Sequence, residues 1–206
     1  MFNYHYFIIF CFERLNTKIN TLPPNIEFPT MPHKKLNVAA EGILDAYKAL
    51  LDARGYVADA AQLTAARALQ ALYTNLLAFK VNRGSTFKRL LSPPKPPKGV
   101  YFWGGVGRGK SFLMDCFYDS VPYRRKKRIH FHAFMQQIHR DLDKYKGEED
   151  PMGKVAAQVA SEVRLLCFDE FHVSDIADAM ILGRLMDGLF AKGVILVMTS
   201  NYPPSM

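Results

Sequence analysis

Between Ile43 and Phe79 apolar residues return every three or four positions. Ile43, Tyr47, Leu50 and Leu51 share one face of a helix ending at Gly55, and Asp59 stands where the cap of a second helix belongs. That second helix carries Leu63, Ala66, Leu69, Leu72, Tyr73, Leu76 and Phe79 on its apolar stripe, with Gly84 beyond it. The stretch Ser92-Pro93-Pro94-Lys95-Pro96-Pro97-Lys98-Gly99 then breaks the pattern, because four prolines remove N–H donors and hold the backbone extended. From Gly99 the spacing changes to short continuous apolar runs, predicted as strands at Val100–Trp103, Ile129–His132, Leu165–Phe168 and Val194–Met198. Helical runs lie between them, among them Phe112, Leu113, Cys116 and Phe117, then Ile176, Ala179, Met180, Leu189 and Phe190, closing at Gly193. Strands without polar alternation are buried on both faces, which predicts an α/β fold: a parallel sheet with helices on both faces, preceded by a short helical segment. No internal repeat is present.

Composition narrows the class without choosing a function. With 206 residues, 49% hydrophobic and 22% charged, the chain is neither disordered, collagen-like nor a coiled coil. Lys and Arg number 27 against 19 Asp and Glu, a net charge of +8 that suits an anionic partner but does not select one. Three widely spaced cysteines, Cys11, Cys116 and Cys167, point to a reduced cytoplasmic or organellar interior. The segment Met1–Phe12 holds six aromatics and no Lys or Arg. It is short of the roughly 20 apolar residues a membrane-spanning helix needs, and it lacks the basic leader of a signal peptide. Residues 1–30 therefore read as a poorly structured extension, or as a segment upstream of a start at Met31. Residues 31–98 form the helical segment and proline-rich linker, and residues 99–206 the main domain.

The chemistry is concentrated at strand ends. Gly104-Gly105-Val106-Gly107-Arg108-Gly109-Lys110-Ser111 fits G-x-x-x-x-G-K-[ST], following a strand and opening a helix. Glycines let the backbone aim successive N–H groups at phosphate oxygens; Lys110 reaches the β- and γ-phosphates and Ser111 ligates Mg²⁺. Fifty-nine residues after Lys110 an apolar run ends in Asp169-Glu170. Asp169 is placed to hold Mg²⁺ through its waters, and Glu170 to orient and polarise an attacking water. The last strand runs into Thr199-Ser200-Asn201, where Asn201 is expected to bond the attacking water or the γ-phosphate. These elements describe a P-loop ATPase.

Together, Gly99 to Asp115 (Gly-Val-Tyr-Phe-Trp-Gly-Gly-Val-Gly-Arg-Gly-Lys-Ser-Phe-Leu-Met-Asp), Ile129 to Met135, Leu165 to Met180 and Met198 to Tyr202 resemble the ZapE-type AAA+ ATPases. The resemblance runs from about Leu50 to Tyr202. It implies a P-loop NTPase fold of AAA+ type, ATP and Mg²⁺ as ligands, a homo-oligomer for the full-length member, and cytoplasmic work linked to cell division through the tubulin-like ring at the inner face of the membrane. AAA+ cores continue past the sensor strand to a further strand, an arginine finger and a helical lid, whereas this chain ends at Met206. The expectation is a core lacking that strand and lid, with Val100–Trp103 left as a bare apolar edge and hydrolysis weak.

Two other features attract attention. His130 and His132 are predicted on one face of a strand, with His139 and His172 elsewhere, but no thiolate or carboxylate completes a zinc set and they read as ordinary strand histidines. The run Arg124-Arg125-Lys126-Lys127-Arg128 reads as a solvated loop; contact with nucleic acid, as in a helicase loader, is the alternative. Arg184 reads as a helix-surface residue, and no Asn-Lys-x-Asp guanine signature occurs.

Overall fold

The structure is a computed structural model of the chain, and it describes residues 7–11, 42–53, 55–84, 95–107, 109–173 and 175–203. In chain order the elements are β1 (Phe7–Cys11), α1 (Ile43–Asp52), α2 (Ala60–Gly84), β2 (Gly99–Trp103), α3 (Lys110–Ser120), β3 (Lys126–His130), α4 (Phe131–Lys144), α5 (Pro151–Glu162), β4 (Leu165–Asp169), α6 (Ile176–Ala191) and β5 (Ile195–Ser200). The strands form one sheet in the order β1-β2-β5-β4-β3, every neighbouring pair parallel.

The helix starts follow from local chemistry. The Asp59 carboxylate accepts from the Gln62 N–H at 2.7 Å while Gln62 Oε1 accepts from the Asp59 N–H at 3.0 Å, a reciprocal cap that opens α2. Gln70 of α2 then caps α1, its Oε1 accepting from the Ile43 N–H at 2.5 Å. Gly42 is needed there: its φ is +53°, and a Cβ would lie 2.6 Å from that same oxygen. Asp150 and Asp175 cap α5 and α6 through the Gly153 and Ala177 N–H groups.

Two apolar layers cover the sheet. On one face α1, α2 and α3 bury Ile43, Tyr47, Leu69, Leu76, Met114 and Phe117 against Val100, Phe102, Leu165, Cys167 and Val197. The helices that precede the proline-rich stretch thus share a core with the phosphate-loop helix. On the other face α4, α5 and α6 bury Phe134, Ile138, Val155, Leu185 and Leu189 against Leu166, Phe168, Leu196 and Met198. Alternate residues of β4 and β5 feed opposite layers, as the pleat requires. This is the α/β P-loop architecture expected, with helices on both faces.

Three expectations are corrected. The outer side of β2 is not bare: Phe7–Cys11 pairs with Gly99–Trp103 in parallel register, so part of the segment read as an unstructured extension closes that edge. The physical reason is the unpaired row of N–H and C=O groups that β2 would otherwise present. The rest of residues 1–30 lies outside the described residues, as do 31–41 and 204–206. The second predicted strand is shifted, running Lys126–His130, with helix α4 beginning at Phe131. His132 is consequently helical and does not share a strand face with His130. The helical run expected from Ile176 is present as α6, which buries Leu182, Leu185, Met186, Leu189 and Phe190 and leaves Ile176 and Met180 exposed.

Candidate functional site

The residues Gly104–Ser111 connect β2 to α3, and three of the glycines take backbone conformations closed to most residues: φ is 141° at Gly104, 76° at Gly107 and 75° at Gly109. Arg108 lies outside the described residues. Lys110, in the first turn of α3 and buried, folds back over the loop and donates to the Gly104 carbonyl at 2.6 Å and the Gly105 carbonyl at 2.7 Å. Its ammonium therefore sits at the mouth of the loop, where a phosphate would offer stronger acceptors than two carbonyls. The α3 N-terminus, which carries no side-chain cap, adds the positive end of the helix dipole.

Across from α3, strand β4 delivers Asp169, which is 6% exposed. Glu170 follows it with φ at +54°, the one non-glycine among the described residues in the left-handed region. That conformation costs about 1 kcal/mol or more and persists only where neighbours enforce it. Here β5 enforces it: Thr199 Oγ1 accepts from the Glu170 N–H at 3.2 Å, the Thr199 carbonyl accepts from the Phe171 N–H at 2.7 Å, and Ser200 Oγ donates to the Phe171 carbonyl at 2.7 Å. Thr199 and Ser200, which precede Asn201 in the chain, fix the turn that carries Glu170. Both are almost fully buried polar residues at a strand end. Asn201 itself is exposed, one residue past β5.

Ser111, Asp169 and Glu170 line a common cavity of about 470 Å³, together with Asp115, Arg128 and His130. The Ser111 hydroxyl and the Asp169 carboxylate, lining one cavity, are hard oxygen donors, which fit Mg²⁺ arriving with phosphates. Asn201 is not among the cavity's lining residues. His130 Nδ1 lies 3.8 Å from Glu170 Oε2, and His139 Nε2 pairs with Asp178 at 2.7 Å on the surface. No group of three or more His, Cys, Asp or Glu that could hold a metal by itself occurs among the described residues.

The basic run proves to be built into the fold. Residues of β3 alternate between faces, so Lys126 and Arg128 project toward α3 while Lys127 projects toward α4. Lys126 Nζ donates to the carbonyls of Tyr118 and Val121 at the C-terminal end of α3, the latter at 2.9 Å. Burial there lowers its pKa, partly offset by Asp119. Arg125 donates to the Ala160 carbonyl at the end of α5 at 2.6 Å, and Lys127 to Gln137 Oε1 at 3.2 Å. Arg128 grips Asp169 with two nitrogens and also pairs with Asp115. Four of the five cations thus face intramolecular acceptors, and Lys126–Arg128 lie in a strand where a loop was expected.

Cys116 and Cys167 are buried in the layer that packs α3 on the sheet, and burial pushes the Cys116 thiol up to about 12 and the Cys167 thiol higher still. Neither can supply a thiolate to the site at neutral pH.

Residues 43–206 match the family described as AFG1-like ATPase. The chain is similar to cell division protein ZapE of Escherichia coli K12, 56% identical over 109 residues, covering 53% of this chain and 29% of that protein. It is also similar to lactation elevated protein 1 homolog B of Danio rerio, 51% identical over 124 residues, covering 55% of this chain and 25% of that protein. The matched part is thus under a third of the length of these curated relatives. Among solved structures, AMPPCP-bound DnaA from Aquifex aeolicus aligns with a TM-score of 0.49 at 17% identity, covering 74% of this chain and 42% of that one. No helix among the described residues is long and apolar enough to cross a membrane.

Proposed function

Because the chain belongs to the AFG1-like ATPase family, we propose that its cavity between α3, β3 and β4 binds Mg²⁺–ATP and hydrolyses the γ-phosphate, with the work coupled to remodelling of a protein partner. The observation that carries this reading is the convergence of Ser111, Asp169 and Glu170 on one cavity beside the phosphate loop, with Glu170 held in a strained conformation by β5.

In this reading Lys110 exchanges the Gly104 and Gly105 carbonyls for the β- and γ-phosphate oxygens, and the N–H groups of Gly104–Ser111 cradle the phosphates. Ser111 and Asp169 would hold the metal. Bound Mg²⁺ would supply neutralisation of phosphate charge. Glu170 orients a water for in-line attack and accepts its proton as the bond to the leaving oxygen breaks. Asn201, just past the C-terminal end of β5, completes the assignment as the residue that contacts the attacking water or the γ-phosphate.

The partner is proposed to be the tubulin-like division protein, reached in the cytoplasm at the inner face of the membrane and engaged by a homo-oligomer; the support is the likeness to the cell division protein ZapE. The test is the Glu170→Gln variant, assayed for nucleotide binding and phosphate release with and without filaments of the division protein and with DNA. We expect binding to be retained and turnover to fall by about 10² or more. Turnover at the unsubstituted rate would reject the assignment, and stimulation by DNA alone would favour a helicase-loader role.

A further inference from the structure

The geometry points to Arg128 as a positioning residue that holds Asp169 ready for the metal and sets how strongly nucleotide binding depends on Mg²⁺. The inference rests on the ATPase reading above and deepens it. Arg128 Nε donates to Asp169 Oδ2 at 2.6 Å and a terminal nitrogen donates to Oδ1 at 3.2 Å, while the other terminal nitrogen pairs with Asp115 of α3. The register explains why. Arg128 pairs with Cys167 across the β3–β4 ladder, two positions before Asp169, so both side chains project from the same face of the sheet toward α3.

The side chains of Arg128 and Asp169 are 22% and 9% exposed, so the pair is shielded from screening by solvent. Four carboxylates, Asp115, Asp119, Asp169 and Glu170, line the cavity, and two of them, Asp115 and Asp169, contact Arg128. The guanidinium keeps that cluster from repelling itself apart before the metal arrives. A carboxylate has about four lone-pair sites, and the bidentate grip uses two. The other two remain for waters of the metal, so Arg128 retains its hold while fixing the plane in which Asp169 presents them. The same positive charge opposes the cation and favours the nucleotide tetra-anion.

These two effects make a test that a merely structural role would not satisfy. The affinity of the 206-residue chain for a fluorescent, non-hydrolysable ATP analogue is measured in EDTA and in saturating Mg²⁺, and the ratio of the two dissociation constants is taken. Removing the charge in Arg128→Gln should weaken metal-free binding more than metal-loaded binding, raising the ratio on the order of tenfold. Arg128→Lys restores the charge but offers a single point in place of a fork. It should return the ratio to the unsubstituted value while phosphate release stays several-fold low. If Arg128→Gln fails to fold by circular dichroism, Arg128→Lys decides alone: unsubstituted turnover would overturn the role of the fork. An unchanged ratio in a folded Arg128→Gln, with both affinities moving in parallel, would overturn the inference while leaving the ATPase reading intact. An unsubstituted chain that binds no analogue in either buffer would overturn the ATPase reading and this inference with it.

Discussion

Strands β3 and β4 are hydrogen-bonded neighbours of five residues each, and they are built on opposite principles. β4, Leu-Leu-Cys-Phe-Asp, is buried from end to end, whereas no residue of β3, Lys-Lys-Arg-Ile-His, is fully buried. β4 is held by area: Leu165 and Cys167 pack on one layer, Leu166 and Phe168 on the other. β3 is held by its cations, which reach the α3 carbonyls from one face and Gln137 from the other. As the sheet edge it also benefits from charge, since a basic edge resists pairing with another chain. The comparison teaches that a strand can be specified by the acceptors its side chains reach as well as by hydrophobicity, and that the two strands supply the two halves of one site: the carboxylate and the cation that holds it.

If that contrast is right, substitutions in the two strands should differ in effect. The largest loss is expected from Phe168→Ala in β4. Its ring meets Phe134 at 4.7 Å and Phe131 at 5.7 Å between centroids, and truncation should cost about 3–5 kcal/mol in urea unfolding. Lys126→Met in β3 keeps the stem but removes the donor to the α3 carbonyls, with an expected loss of about 1–2 kcal/mol. Lys127→Ala, whose hydrogen bond to Gln137 is partly exposed, should fall within about 0.5 kcal/mol of the unsubstituted chain. A Lys126→Met loss no greater than that of Lys127→Ala would break the distinction between a cation held at a helix end and one held by a single partly exposed side chain.

The same contrast explains which parts were legible in sequence. The α1 and α2 stripes, the Asp59 cap and the apolar strands β2, β4 and β5 each carry a local signal, and the glycine-rich loop and Asp169-Glu170 sit at strand ends where their chemistry is recognisable. β3 was misplaced because its cations resemble a loop until the helix ends they reach are known. The strand reading continued into Phe131-His132, where the start of α4 overlaps the apolar run. Pairing of Phe7–Cys11 with β2 depends on an edge nearly a hundred residues away along the chain. Arg128 escaped for the same reason: its partner Asp169 is 41 residues distant, and only the β3–β4 register brings them together. Thr199 and Ser200 look like ordinary strand-end polar residues until their hydrogen bonds to the Glu170 turn are seen.

The central claim, that the loop from Gly104 to Ser111 and the Asp169-Glu170 turn form one nucleotide site, is tested most directly by titrating a fluorescent ATP analogue in Mg²⁺ into the unsubstituted chain and into Lys110→Ala. The account predicts saturable binding, competed by unlabelled ATP, that weakens on the order of 100-fold in Lys110→Ala, because the ammonium now donated to two loop carbonyls is the one the phosphates would take. Equal affinity in the two proteins would contradict it.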